Sequence, residues 1–375
     1  MYIIVFVFSF MLCRIGEKKY KQGKSRQSLI YIIGAVMLVS ILAGIRDCTI
    51  GTDIKTYGHW MFEGAKKTNS LLRYIKSNTN IEVGYSIFVF IIAKLFESEH
   101  WLYFFTGLFT YYFTMFGFAK FKKYISLSWT WCAYLFLLYG DTLNAMRQCM
   151  ALAVVLWAFP FALDRKYKKY IIWTIFAGLF HNTAVLTFGI YFIYWILTKK
   201  NSVVTKAMIV LGTIGAILSY NQLLSIMMSV GILSSKYERY LTVTTAFSSL
   251  NPILVRIPFW IVIVFFSKTL KRRRECDPYC NRIINILGDF IILMSFIELF
   301  VAEMRVINVA LYRLAFFFTV YRCVAIGRVV DILCLKNRIT VKCVFLILFI
   351  GIWTYQNVIM GNNGIYPFSA ELIGL

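Results

Sequence analysis

The sequence predicts an all-α, polytopic helical membrane protein, and three observations carry the prediction. Hydrophobic residues make up 60% of the 375 and charged residues only 15%, against roughly 45–50% and about 25% in ordinary soluble domains. Apolar blocks recur along the whole chain, separated by short polar stretches. Lys and Arg are gathered into a few of those stretches rather than spread over every surface. A water-soluble fold has no interior large enough for so much apolar surface. In lipid a segment must satisfy its own backbone polar groups, which makes each single spanning segment a helix. Disordered, collagen-like, disulfide-scaffold and soluble α/β classes are excluded.

Taken in order, the apolar blocks cover residues 1–12, 29–45, 84–96, 101–119, 125–139, 148–163, 170–180, 183–197, 203–220, 252–267, 283–302, 309–326 and 341–357. With about 20 apolar residues needed for a full crossing, roughly 11–13 transmembrane segments are expected. The first block has no basic residue before it and no small-residue cleavage site after it, so it is expected to be a retained span. Blocks 84–96 and 170–180 are short and read as half-helices or bent hairpins near the external face. No internal repeat, low-complexity tract or soluble domain interrupts the series. One membrane domain, 1–375, is expected, with external loops at 46–82 and 221–251.

The formal net charge is +23, from 40 Lys plus Arg against 17 Asp plus Glu. In a soluble protein this would suggest a nucleic-acid partner. Here most cations fall in runs at 14–26, 120–123, 165–169, 199–206, 268–282 and 322–342. That is the pattern of cytoplasmic loops under the positive-inside bias, and no nucleic acid is expected. From residue 120 onward each pair of crossings returns the chain to a basic loop, which places 141–147, His181, 221–251, 303–308 and the C-terminal tail outside. Three apolar blocks, an odd number, separate the runs at 14–26 and 120–123. Parity is restored if 84–96 enters and leaves on the outer face, keeping 46–82 external. The nine cysteines are scattered, only Cys276 and Cys280 being near neighbours, and the three histidines are dispersed. Neither a disulfide framework nor a metal site is expected.

Charges at membrane depth are expensive and usually face a bundle interior or a wet cavity. Arg46 and Asp47 in GIRD, then Asp53 and Tyr57 in GTDIKTY, follow the second block, where a polar turn at the interface is the competing explanation. Glu82 in EVGY opens the third block, at a helix start where the dipole favours a carboxylate; capping alone is the alternative. Asn144, Arg147 and Gln148 in NAMRQ fall at i, i+3 and i+4 and would share one helix face, with an arginine able to grip phosphate oxygens bidentately. His181, between apolar runs, is either a hydrogen-bonded structural residue or a proton-transfer group. Glu298, Glu303, Arg305, Tyr312 and Arg313 concentrate charge in the C-terminal half, with internal salt bridges as the alternative, and Tyr240 lies in the 221–251 loop. No GxSxG, HExxH, P-loop or paired CxxC motif is present. Any catalysis therefore uses dispersed Arg, Asp, Glu, His and Tyr.

The ordered set GIRD, GTDxxxY, ExGY, NxxRQxxA and the apolar string ending in FH resembles the Wzy-type polysaccharide polymerases, specifically their EpsG-like branch. The likeness covers Arg46 to about Leu197. It continues more loosely through Tyr237, Tyr240, the RLAFFF stretch after Tyr312 and Tyr366-Pro367-Phe368. It implies a bacterial inner-membrane enzyme that joins lipid-linked oligosaccharide repeat units on the outer face, taking the growing chain from its undecaprenyl diphosphate carrier. It implies no cofactor, and it implies the bilayer, a flippase and a chain-length regulator as partners. On this reading Arg147, assisted by Arg46 and by Arg305 or Arg313, holds the diphosphate, and Asp53, Glu82 or His181 is the base. Asp47, Tyr57, Asn144, Gln148 and Tyr240 complete the substrate-binding set. The rivals are a membrane-integral O-acyltransferase and a lipid-oligosaccharide transporter; a transporter would place its charges in a cavity open to both sides.

Overall fold

A computed structural model of the chain describes residues 1–122, 124–230, 254–270, 278–303, 313–333 and 338–374. Most of the expected loop 221–251, with Tyr240, lies outside the described residues, as do Arg305 and Tyr312. Among the described residues the secondary structure is helical and holds no strand. In chain order the helices are α1 (Tyr2–Lys21), α2 (Ser25–Gly44), α3 (His59–Lys67), α4 (Leu71–Ser77), α5 (Val83–Leu95), α6 (His100–Ala119), α7 (Leu127–Asn144), α8 (Met146–Leu163) and α9 (Tyr167–Gly178). Then follow α10 (Thr187–Lys199), α11 (Val203–Leu218), α12 (Tyr220–Ser229), α13 (Ile257–Phe265), α14 (Ser267–Leu270), α15 (Pro278–Glu303), α16 (Phe316–Leu333) and α17 (Arg338–Thr354). Three stretches are long and apolar enough to cross a membrane by length and composition: α2, α8 and Ile339–Ile359. The other apolar blocks of the described chain also fold as helices. The two expected to be short are short, with 13 residues in α5 and 12 in α9.

The chain divides into two compact units, Met1–Thr187 with Val330–Leu375, and Phe188–Val329. In the first, α1 lies along α2 and against α7, α6 packs on both α2 and α8, α8 packs on α9, and the small helices α3 and α4 rest on α5. Helices in lipid gain little from hydrophobic association, so close approach at small residues and interhelical hydrogen bonds hold them. A Cβ on Gly107 of α6 would meet the Ala43 Cβ of α2 at 3.0 Å, and one on Gly117 would meet the Trp157 backbone nitrogen of α8 at 3.0 Å. Ser9 Oγ of α1 donates to Ala35 O of α2 at 2.7 Å and accepts from Trp131 Nε1 of α7 at 2.9 Å. Tyr139 OH donates to Val39 O at 3.0 Å.

The two ends of this bundle differ in charge. At one end Glu17 accepts from Ser126 Oγ (3.0 Å), Ser128 N (3.1 Å) and Ser128 Oγ (2.7 Å). It thereby satisfies an amide of the first turn of α7, which has no intrahelical partner. Lys122 lies over the Tyr20 ring at 3.7 Å at this end, so the basic runs 14–26 and 120–123 meet there. At the other end His100 Nδ1 donates to Gly44 O at 2.9 Å. The chain thus leaves α2 and enters α6 at the same end of the bundle, with α3, α4 and α5 between them.

In the second unit α11 and α13 pack on α15. Its buried centre is Glu298, which accepts from Arg256 Nε at 2.9 Å and Thr319 Oγ1 at 2.7 Å and pairs with Arg322 Nη2 at 3.1 Å. Internal ion pairing is therefore the explanation of Glu298. The structure also corrects the basic run drawn at 322–342: Arg322 and Arg328 are buried inside α16. Arg322 is there because an ionised Glu298 in the interior needs neutralising charge.

Candidate functional site

The residues that the sequence singles out converge on the junction between α7 and α8, in the first unit. NAMRQ does not lie on one helix as its spacing suggested. Helix α7 ends at Asn144 and α8 begins at Met146, with Ala145 between them at φ −105° and ψ 55°. The break is stabilised by Asn144, whose short amide hydrogen-bonds a loop instead of sitting in a helix interior. Asn144, Arg147 and Gln148 accordingly turn to different partners.

A break of this kind sets the unsatisfied last carbonyls of one helix beside the unsatisfied first amides of the next. Arg46 serves the carbonyls. It is 1% exposed, donates from Nη1 to Leu143 O at 3.3 Å, places Nη2 3.4 Å from Met146 Sδ and holds its guanidinium 5.4 Å from the Tyr103 ring centre. A cation at the C-terminal end of α7 also suits the helix dipole. Arg147 does the reverse, sitting in the first turn of α8, where the dipole disfavours a cation.

Arg147 is held there by side chains from two other segments. Its Nη1 donates to Glu82 Oε2 in a close ion pair, and its guanidinium lies 4.5 Å from the Tyr57 ring centre. Tyr57 OH in turn donates to Asp53 Oδ2, and its ring meets Tyr85 edge-on at 6.1 Å. Glu82 and Asp53 are buried. Burial, reinforced by the Asp53 carboxylate, raises the Tyr57 phenol well above its ordinary range. Tyr57 therefore stays a neutral donor to Asp53. One guanidinium, two carboxylates and a phenol form a single constellation at the N-terminus of α8.

Glu82 occupies the N-cap position of α5 but makes no side-chain capping bond. Its carboxylate goes to Arg147, so capping does not account for it. Gly84, two residues on, explains the glycine of EVGY: its amide donates to Leu179 O at 2.9 Å, and a Cβ there would come within 2.7 Å of that oxygen. This close approach seats the turn carrying His181 against the start of α5. His181 Nδ1 accepts from Thr183 N at 3.3 Å and caps the short 3-10 helix Asn182–Leu186. The same nitrogen lies 2.7 Å from Thr183 Oγ1.

The remaining predicted residues divide. Gln148 is buried in the first turn of α8. Asp47 Oδ1 accepts from Glu371 N at 2.9 Å and its amide donates to Ser369 O at 3.1 Å, so it ties down the C-terminal tail. Asn144 Oδ1 accepts from both the amide (3.1 Å) and the hydroxyl of Thr52, and its Nδ2 donates to Asn363 Oδ1 at 3.1 Å. Arg313 is half-buried and belongs to the second unit. Sequence reasoning missed Thr52 and Asn363; GNNG at 361–364 reads only as a turn, and nothing in it points to residue 144. Among the described residues no group of His, Cys, Asp and Glu could hold a metal ion.

Helices of this composition, with an arginine–carboxylate constellation gathered at the end away from the basic loops, define a polytopic membrane protein with a candidate anion-handling site. The sequence profile of the EpsG family matches residues 29–370, nearly the whole chain. The protein belongs to that family, a family of polysaccharide polymerases. No curated protein and no solved structure matched the chain.

Proposed function

We propose that the protein polymerises lipid-linked oligosaccharide repeat units, by glycosyl transfer from an undecaprenyl diphosphate carrier to a sugar hydroxyl, at the external face of a bacterial inner membrane. The observation that carries this reading is Arg147 at the N-terminus of α8. Glu82 occupies its Nη1, while its Nε is buried with no hydrogen-bond partner among the described residues. In the transfer the bond from the anomeric carbon to the diphosphate oxygen breaks, and its electron pair leaves on the diphosphate. The acceptor oxygen bonds to that carbon and gives its proton to a base. An arginine beside first-turn amides suits the departing anion, and Arg46 adds a second buried guanidinium at the same junction.

Of the three candidate bases, Asp53 fits best. Glu82 is engaged by Arg147, and His181 Nδ1 is engaged by Thr183. Asp53 is oriented by a neutral Tyr57 and lies on the loop that faces α8. The positive-inside bias supports an external site, because the basic runs meet at the opposite end of the bundle. A flippase supplying the repeat units and a chain-length regulator belong to the same reading as partners.

The test is the length distribution of the host's lipid-linked surface glycan with the protein intact, deleted, and carrying Arg147→Ala at matched membrane abundance. Collapse of the ladder to single repeat units in both altered strains is the expected result. A ladder of full length that has lost acyl groups would establish the acyltransferase. A full-length, unmodified polymer in the deletion strain would overturn both enzymatic readings.

A further inference from the structure

We infer that the C-terminal segment 361–371 is a working part of this site, with Asn363 acting through Asn144 as a positioning residue for Asp53 and Tyr57. The inference rests on the function proposed above and adds to it a segment about 300 residues distant in sequence from the loop it controls. The contacts run in series. Asn363 Oδ1 accepts from Asn144 Nδ2, Asn144 Oδ1 accepts from the amide and hydroxyl of Thr52, and Thr52 directly precedes Asp53. Thr52 O then accepts from Thr56 Oγ1 at 2.8 Å, across the π-helical turn Ile54–Gly58 that carries Tyr57.

An asparagine amide has a donating and an accepting end of the same shape. If Asn144 turned over, its NH2 would face the N–H and O–H of Thr52. The Thr52 amide demands an oxygen at one end and Asn363 offers an acceptor to Nδ2 at the other, so the two contacts together hold the productive orientation. The surrounding chain is built for this contact. Gly51 has φ +90° and a Cβ there would lie 2.4 Å from Leu143 O, so the loop presses against the end of α7. A Cβ on Gly140 would come within 3.0 Å of Asn363 Nδ2, so the absence of a side chain at 140 makes the seat for that amide. Asn363 itself has φ 66°, a left-handed conformation that asparagine and glycine adopt with least strain.

The segment does not depend on Asn363 for its docking. Ile365 and Ala370 are fully buried, and Asp47 hydrogen-bonds both Ser369 and Glu371. Asn363→Gly therefore removes the acceptor and keeps both the backbone conformation and the docked tail. Asn363→Asp keeps the backbone preference and the acceptor.

The experiment uses the full-length protein in membranes with a lipid-linked repeat unit as substrate, with activity normalised to folded protein. Asn363→Gly is expected to lower kcat by about 10- to 100-fold, the scale of a misplacement near 1 Å, with little change in KM. Asn363→Asp is expected to restore kcat. Hydrogen exchange at the Thr52 amide is expected to accelerate in Asn363→Gly alone. Unchanged kcat in Asn363→Gly, with Arg147→Ala inactive, would overturn the positioning role and leave the polymerase intact. Unchanged exchange at Thr52 would overturn it as well, whatever the activity. Polymerisation that survives Arg147→Ala would instead refute the reading on which the inference stands.

Discussion

Removing Glu82 should destabilise the protein about as much as removing Glu82 and Arg147 together. Taking one partner from a fully buried ion pair costs about 3–5 kcal/mol, because a desolvated charge is left behind. The side chains here are 6% exposed for Glu82 and 17% for Arg147. Arg147 also keeps the face of Tyr57, and a cation over an aromatic ring is worth about 0.5–2 kcal/mol. Those two discounts bring the expected loss for Glu82→Gln to about 2 kcal/mol. Arg147→Gln should lose a similar amount, since it leaves Glu82 ionised in the same enclosure as Asp53. In the double variant two amides face one another and only Asp53 stays charged, held by the Tyr57 hydroxyl, so its loss should also be about 2 kcal/mol, a coupling of about 2 kcal/mol across the cycle. The assay is equilibrium unfolding of the purified protein in detergent, with all four species under one condition. A double variant whose loss equals the sum of the singles within about 0.5 kcal/mol would refute the pairing.

Further outcomes follow from other contacts. Gly84→Ala drives a methyl group to 2.7 Å from a backbone oxygen and should lose about 1–3 kcal/mol through overpacking. Gly64→Ala, whose added Cβ has its nearest neighbour at 3.9 Å, serves as control, and equal unfolding midpoints for the two would contradict the close approach at Leu179. Glu17 lies beyond the apolar stretch of α1. Burial alone would raise its carboxyl, but hydrogen bonds from Ser128 and the charge of Lys21 hold it below the usual range. A lowered folded-state value gives stability that is present above the unfolded carboxylate range, near 4.3, and lost as pH falls through the folded value. Glu17→Gln should therefore flatten part of the acid-side fall in unfolding midpoint, and an unchanged slope would show that the carboxylate does not cap α7. Glu298→Gln strands the buried guanidiniums of Arg256 and Arg322 and should cost about 3–5 kcal/mol, read as a sharp fall in folded protein recovered from membranes. Wild-type recovery would argue against that cluster as the support of the second unit.

Much of this was written in the sequence. Hydropathy located the helices because each apolar block had to become one in lipid, and the shortness of 84–96 and 170–180 carried over into α5 and α9. Clustered Lys and Arg located one end of the bundle, since those side chains avoid the apolar interior. The motif set marked Arg147, Glu82, Asp53 and Tyr57. Their pairing was hidden, because Glu82 and Arg147 stand 65 residues apart and nothing local says which carboxylate meets which cation. The break at Ala145 was hidden for another reason: NAMRQ has neither Gly nor Pro, and the Thr52 loop that engages Asn144 comes from far upstream. Arg322 was misassigned to a loop because a cation after an apolar run looks cytoplasmic until its buried partner, Glu298, is known. Asp47 and Asn144 were visible as members of GIRD and NxxRQ, but their hydrogen-bond partners in the C-terminal tail and the Thr52 loop lie far off in sequence, where no local pattern names them.

The most direct test of the central claim is reconstitution of the purified protein in liposomes with an undecaprenyl diphosphate-linked repeat unit as its sole substrate. The expected result is a ladder of polymer, with one undecaprenyl diphosphate released per bond formed, and neither product when Arg147 is replaced by alanine. A wild-type protein that forms no polymer, or an Arg147→Ala protein that forms it at the wild-type rate, would contradict the account.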